Sequence, residues 1–277
     1  MDSSYRKYYL YNEEVKESDS FSDAFLSKGK SLYEVFRLAS GVPIFLEKHM
    51  DRLLNSSVLM KLSLPYNIEK IKKEIYKLIQ VNHCDYGNIK IVFNFCESKV
   101  NFYAYFLKHN YPVSAEYENG VDTIFFHGER EIPNAKVMNI DFRKSVDEKI
   151  KEANVYEAIL VDSNGIITEG SRSNIFIVKG KEVYTAPLEA VLPGITREII
   201  ISIVKDKGYK LYEKNINFED IENMDGLFIS GTSPEVLPIK RVGNLEFASA
   251  KNVVILDIEE GYREAVARCQ DKEAVTK

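Results

Sequence analysis

The chain has 277 residues, 45% of them hydrophobic and 29% charged, with a formal net charge of -5. That is enough apolar material for one large core or two smaller ones, and the lack of a basic tail or block disfavours nucleic acid, whose phosphates need clustered Lys and Arg. No apolar run approaches the roughly 20 residues that cross a bilayer, and MDSSYRKYYLYNEE carries no hydrophobic signal core, so a cytoplasmic protein with no membrane partner is expected. Cys84, Cys96 and Cys269 fit neither a disulfide framework nor a zinc site. His49, His83, His109 and His127 are scattered, so no metal is expected.

Residues 5–11 alternate and are rich in tyrosine, which predicts an edge strand. Residues 13–23 are acidic and serine-rich and read as a loop. LYEVFRL (32–38) alternates as a strand, Ser40-Gly41 is a turn, and VPIFL (42–46) reads as the return strand of a hairpin. From Glu47 the period changes: Met50, Leu53, Leu54, Val58 and Leu62 fall on one helical face, ended by Pro65. Asn67 caps a second helix with Ile68, Ile71, Ile75, Leu78 and Ile79 at helical spacing. Residues 89–95 and 100–107 are strands. The first half is thus expected to be a sheet with two helices on one face.

Residues 108–120 break the periodicity with Pro, Asn and Gly and read as a boundary. The expected organisation is an N-terminal domain over 1–112, a linker over 113–120 and a C-terminal domain over 121–277. In the second half, residues 121–126 read as a strand, 131–143 as irregular and 144–153 as a helix. Strands follow at 156–162, 166–169, 174–178 and 183–185. A helix is expected over 195–207 with Gly208 past its end, a strand over 209–216 and a short helical turn at 218–221. Strands at 227–230 and 236–240 and a helix over 250–269 complete the chain, with the last eight residues frayed.

Four features bear on chemistry. LPGITRE places a glycine turn directly before a helix, whose free N–H groups at Ile195 and Thr196 make an anion site; a plain turn gives the same pattern. ISGTSPE (229–235) ends an apolar strand in hydroxyl and amide donors that a phosphate can use, or is a simple strand turn. Glu169 ends the apolar IIT strand. A carboxylate there must be solvated or paired, and one that faces a cofactor can hold a pyridine nitrogen protonated. Lys136, in PNAKVMNIDF, becomes an imine-forming nucleophile only if burial or nearby charge depresses its pKa; composition alone makes it a solvated lysine.

Five segments in fixed order carry a resemblance: LYEVFR (32–37), H-x-x-R-L (49–53), Lys136 followed by EAILVDSNGIITEGSRSNIF (157–176), LPGITR (192–197) and GTSPEVLPI (231–239). The chain resembles the class IV, fold-type IV pyridoxal-phosphate enzymes, the group of branched-chain aminotransferases, D-amino acid aminotransferases and aminodeoxychorismate lyases, from about residue 32 to 247. The resemblance implies an α/β (α+β) fold with a smaller N-terminal α/β sandwich, a larger β-barrel-like C-terminal domain, and pyridoxal 5'-phosphate in the cleft between them. It implies Lys136 as the Schiff-base lysine, Glu169 as the partner of the ring nitrogen and Arg52 as a phosphate ligand. Ile195 and Thr196 would hold the phosphate through backbone N–H, and Thr232 through hydroxyl or amide. Tyr33, Arg37, Ser171, Arg172 and Ser173 would face the substrate. It also implies a homodimer that exchanges an amino group between an amino acid and a 2-oxo acid.

The subgroup is not set by these motifs. The arginine of the D-amino acid carboxylate trap is replaced by Phe95 in NFCES. The threonine of the lyases is missing from YEVF, which has Glu34 and Val35. The tyrosine that follows the lysine in branched-chain enzymes is replaced in VMNIDF, with Asp141 and Phe142. The expectation is an aminotransferase for an L-amino acid with an apolar or branched side chain, with the pyruvate-releasing lyase as the alternative.

Overall fold

The computed structural model describes residues 3–108, 111–130, 133–137 and 139–275. Parts of the expected boundary (109 and 110), of the irregular segment (131, 132 and 138) and of the frayed tail (276 and 277) lie outside the described residues. The chain forms two compact units. The first comprises Met1–Asn110, Ala135–Met138 and Val266–Lys277; the second comprises Tyr111–Asn134 and Asn139–Ala265. Ala135–Met138, which carries Lys136, thus belongs to the first unit although its flanks belong to the second.

The first unit begins with β1 (Tyr8–Tyr11) and β2 (Glu14–Glu17), followed by β3 (Lys30–Ala39) and β4 (Val42–Pro43). Helices α1 (Leu46–Leu59) and α2 (Ile68–Asn82) precede β5 (Gly87–Cys96) and β6 (Lys99–Leu107). The sheet order is β2-β1-β6-β5-β3-β4, all antiparallel. Strand β2 falls where a loop was expected. Its EVKE sequence looks like solvated loop because charged residues are what an edge strand carries. Asn12 and Glu13, both at positive φ, form the tight turn that pairs it with β1. The return strand after Ser40-Gly41 is only Val42–Pro43: Phe45 takes φ 54 and starts α1.

Alternation sorts β3 and β5 into two faces. Leu32, Phe36 and Leu38 pack with Ile89, Ile91 and Phe93 against Met50 and Leu53 of α1 and Ile71, Ile75 and Leu78 of α2. The opposite face is aromatic, joining Tyr9, Phe21, Phe25, Tyr33, Val92, Tyr103 and Tyr105. Asn67 caps α2 by accepting from Lys70 N–H at 2.9 Å.

In the second unit α3 (Ser114–Asn119) occupies the stretch expected as linker, ending at Gly120 with φ 75. Next come β7 (Val121–His127), α4 (Ile140–Ala153), β8 (Glu157–Val161), β9 (Ile167–Gly170), β10 (Asn174–Lys179) and β11 (Glu182–Thr185). Then α5 (Ile195–Asp206), β12 (Lys210–Glu213), β13 (Gly226–Gly231), β14 (Glu235–Val242) and β15 (Leu245–Glu246) lead to α6 (Val253–Val275). Helix α4 begins earlier than expected because Asn139 caps it, β12 is shorter than expected, and α6 continues through the stretch expected to fray. No described helix is long and apolar enough to cross a membrane. Crossovers through α4 and α5 make the pairs β7–β8 and β11–β12 parallel. Helix α4 lays Phe142, Val146 and Ile150 on Ala158 and Leu160 of β8.

The second sheet runs β12-β11-β10-β13-β14-β7-β8-β9. In a flat sheet β9 would stand five strand steps, about 24 Å, from β10. Yet Gly170 and Asn174 are joined by a link that reaches at most about 14 Å. The sheet must therefore curl toward a barrel, which brings the end of β9 beside the start of β10.

Candidate active site

In the first unit, a buried charge cluster lies beneath α1. Glu34, fully buried on the helix side of β3, accepts from Arg52 Nε at 2.9 Å on one oxygen and from the Arg52 terminal nitrogen at 2.6 Å on the other. His49 Nδ1 lies 2.8 Å from the second oxygen. His49 and Arg52 are three apart, so one face of α1 presents both. Burial alone would raise the Glu34 pKa, but the Arg52 charge and hydrogen bonds, with His49 adding, outweigh it and hold the carboxyl down to about 2. Burial pushes the His49 pKa below its ordinary value; Glu34 opposes this, and Arg52 and Lys136 add to it. Arg52 is thus a guanidinium fixed by a permanent carboxylate, as a residue that orients an anion requires.

Lys136 sits on the free edge of β3. Val137 bridges Leu32, and Tyr33 N–H donates to the Lys136 carbonyl at 3.3 Å. The Lys136 ammonium lies 5.1 Å from the Tyr33 ring centroid, and that of Lys90 lies 4.7 Å from the same centroid. Lys90, only 2% exposed, was not among the expected site residues. The alternation of NIKIVF places it opposite the helix-packed face, but only the aromatic cover on that side makes it a buried cation. Arg37 shares the face, and its guanidinium stands over the half-exposed Tyr86 ring at 5.6 Å.

In the second unit the site gathers at strand ends. Glu169, 2% exposed at the end of β9, pairs through one oxygen with Arg130 Nε at 2.9 Å. That nitrogen lacks an aligned hydrogen bond, so the contact is an ion pair and not a directed bond. The other Glu169 oxygen accepts from Leu192 N–H at 3.2 Å. Asn174 donates to Leu192 O at 3.0 Å and pairs with Ser230 across β10 and β13. Leu192, Gly194 and the end of β13 are therefore held about one residue, Asn174. Arg130 was missed because its partner lies across the curled sheet; it also donates to Ser171 O at 3.1 Å.

Glu157, buried on β8, holds the segment after Glu169. It accepts from Arg172 N–H at 2.6 Å, Ser173 Oγ at 3.0 Å and Ser171 Oγ at 3.3 Å. Burial raises its pKa, and these donors partly offset the rise. Arg172 contributes its backbone here, while its half-exposed guanidinium pairs with Asp147 at 2.5 Å. Thr232 opens the turn between β13 and β14.

Whether an anion fits is tested by α5. Its cap residue is Gly194, which offers no side chain, and Ile195 and Thr196 in the first turn are 7% and 6% exposed. A buried, uncapped helix start needs an acceptor from elsewhere. Ser230, on the same face of the sheet as Asn174, has a buried hydroxyl with no hydrogen-bond partner among the described residues. A phosphate fits this donor set.

Residues 31–242 match the family model for amino-transferase class IV. This chain belongs to the class IV aminotransferases, enzymes that depend on pyridoxal phosphate. It is 27% identical to a D-alanine aminotransferase of Bacillus licheniformis, covering 77% of this chain and 79% of the relative. It is 29% identical to a putative branched-chain-amino-acid aminotransferase of Methanocaldococcus jannaschii, covering 84% and 86%. The fold matches the solved structure of the branched-chain amino acid aminotransferase from Escherichia coli, with TM-score 0.82, 22% identity and 94% of each chain covered.

Proposed function

We propose that this class IV aminotransferase moves an amino group between an L-amino acid with an apolar or branched side chain and a 2-oxo acid, with pyridoxal 5'-phosphate held covalently at Lys136 Nζ. The observation that carries this reading is Lys136, a lysine whose backbone is pinned to β3 while its ammonium projects over the Tyr33 ring beside a second buried cation. Arg52, Ile195, Thr196 and Thr232 serve the phosphate. Glu169, kept paired with a cation by Arg130, serves the ring nitrogen. When bound, the cofactor supplies the electron sink that lets the Cα–H bond of the amino acid break. With the cofactor bound, Lys136 Nζ would take that proton and return it. Lys90 offers its buried charge to the substrate carboxylate, and Tyr33 lines the same space. The reading extends to a cytoplasmic homodimer, as the family leads one to expect, and favours transfer over the lyase reaction.

Borohydride reduction of the cofactor-loaded protein followed by peptide mapping should place the label on Lys136, and a label elsewhere refutes the assignment. Leucine or glutamate should then convert bound aldehyde to the amine form, with D-alanine as the control for handedness. Pyruvate released from aminodeoxychorismate without the amine form would decide for the lyase. Lys90→Met is expected to raise KM for the amino acid about tenfold or more, the loss of one charge-assisted contact, with a smaller change in kcat. Gly194→Ala is expected to weaken pyridoxal phosphate binding by about tenfold or more. Its Cβ would fall 2.1 Å from Asn174 Oδ1 and push α5 off the residue that seats it. Equilibrium dialysis of the cofactor measures this.

A further inference from the structure

Lys136 lies outside any regular element, yet its backbone is held at both polar groups within the first unit. Its carbonyl accepts from Tyr33 N–H at 3.3 Å, and its N–H donates to Ser56 Oγ at 3.3 Å. The Val137 N–H reaches back to Ala135 O at 2.9 Å, closing a three-residue turn centred on the lysine. The Tyr33 contact is made by backbone, so any residue there would supply it. The Ser56 contact depends on a side chain. Ser56 is 1% exposed in α1, four residues after Arg52 and seven after His49, so the three share one helix face. A helical serine ordinarily bonds its own helix, as the neighbouring Ser57 does by donating to Leu54 O at 2.8 Å. Ser56 Oγ instead accepts from a segment far away in sequence.

We infer that Ser56 is a positioning residue for Lys136: it fixes the turn from which Nζ reaches the Tyr33 ring, so that Lys136 and not Lys90 takes the cofactor. The anchoring stands on geometry alone; its consequence for the cofactor rests on the function proposed above. Without the oxygen the Lys136 N–H has lost its partner and the turn loosens. The two ammonium groups that approach one ring, at 5.1 and 4.7 Å, then compete.

The test compares wild type with Ser56→Ala, which deletes only the oxygen, and Ser56→Thr, which keeps it. Amide exchange is followed by mass spectrometry in cofactor-free protein. The peptide holding Lys136 should exchange about tenfold faster in Ser56→Ala and at the wild-type rate in Ser56→Thr, with β5 unchanged in both. After loading with pyridoxal phosphate and borohydride reduction, wild type should carry the label on Lys136, and Ser56→Ala should lose most of it, part appearing on Lys90. Unchanged exchange and labelling in Ser56→Ala overturn the inference, as does faster exchange spread into β5, which would mark a merely structural serine. Ala-like exchange in Ser56→Thr overturns the role of the hydroxyl. Faster local exchange in Ser56→Ala, with the wild-type label on some other lysine, supports the anchoring and overturns the functional reading.

Discussion

Lys136→Met is expected to lower kcat/KM for amino transfer by about 10⁴-fold or more, while the protein keeps its fold. The size follows from the roles that one nitrogen holds in the proposed reaction: nucleophile toward the cofactor and base and acid toward the amino acid. The fold should survive because the contacts that seat this residue are made by its backbone N–H and carbonyl, to Ser56 Oγ and Tyr33 N–H, and methionine keeps both. The measurement is a single-turnover assay of amino acid conversion beside a thermal unfolding curve. Turnover within about tenfold of wild type would remove Lys136 from the chemistry.

Glu34→Gln is expected to destabilise the protein by about 3–5 kcal/mol at neutral pH, because it leaves the buried Arg52 guanidinium without its counter-charge. The pH dependence gives a second handle. The folded Glu34 carboxyl titrates at about 2 against an ordinary value of 4.5, so its stabilisation is present above pH 4.5 and is lost as pH falls through about 2. That shift corresponds to roughly 3 kcal/mol. Denaturant unfolding of both proteins between pH 7 and pH 2 should show the gap narrowing on the acid side. A gap that stays constant would mean that the pair is not the source. If Arg52 serves the phosphate as proposed, phosphate affinity should fall as well, since an Arg52 without Glu34 no longer has a fixed direction.

Glu34 also shows where sequence reading stopped. In YEVF it was visible as the absence of a threonine, and nothing local marked it as the carboxylate that aims Arg52. The H-x-x-R-L spacing did place His49 and Arg52 together, because residues three apart on a helix share a face whatever the helix packs on. The same distinction separates Lys90 from Lys136. A period of two tells which face of β5 a residue takes, but not whether that face is covered. Coverage came from Tyr9, Phe21, Phe25 and Tyr105, brought in by other strands and loops.

Local pattern by itself determined the amphipathic face of α2, the Asn67 cap, the glycine entrance of α5 and the order of motifs that marks the family. These rest on near-neighbour sterics and hydrogen bonding, which a short segment carries with it. On α1 Met50 and Leu53 are buried as expected, but Leu54 and Val58 are exposed and the buried face also carries His49, Arg52 and Ser56. The curl of the second sheet, the pairing of Glu169 with Arg130, the Glu157 grip on the Ser171–Ser173 segment and the seating of Lys136 in the first unit were decided only by tertiary structure. Each is a burial of charge or backbone that must find a partner once water is excluded, and the partner is supplied by whichever distant segment the packed sheet brings within reach.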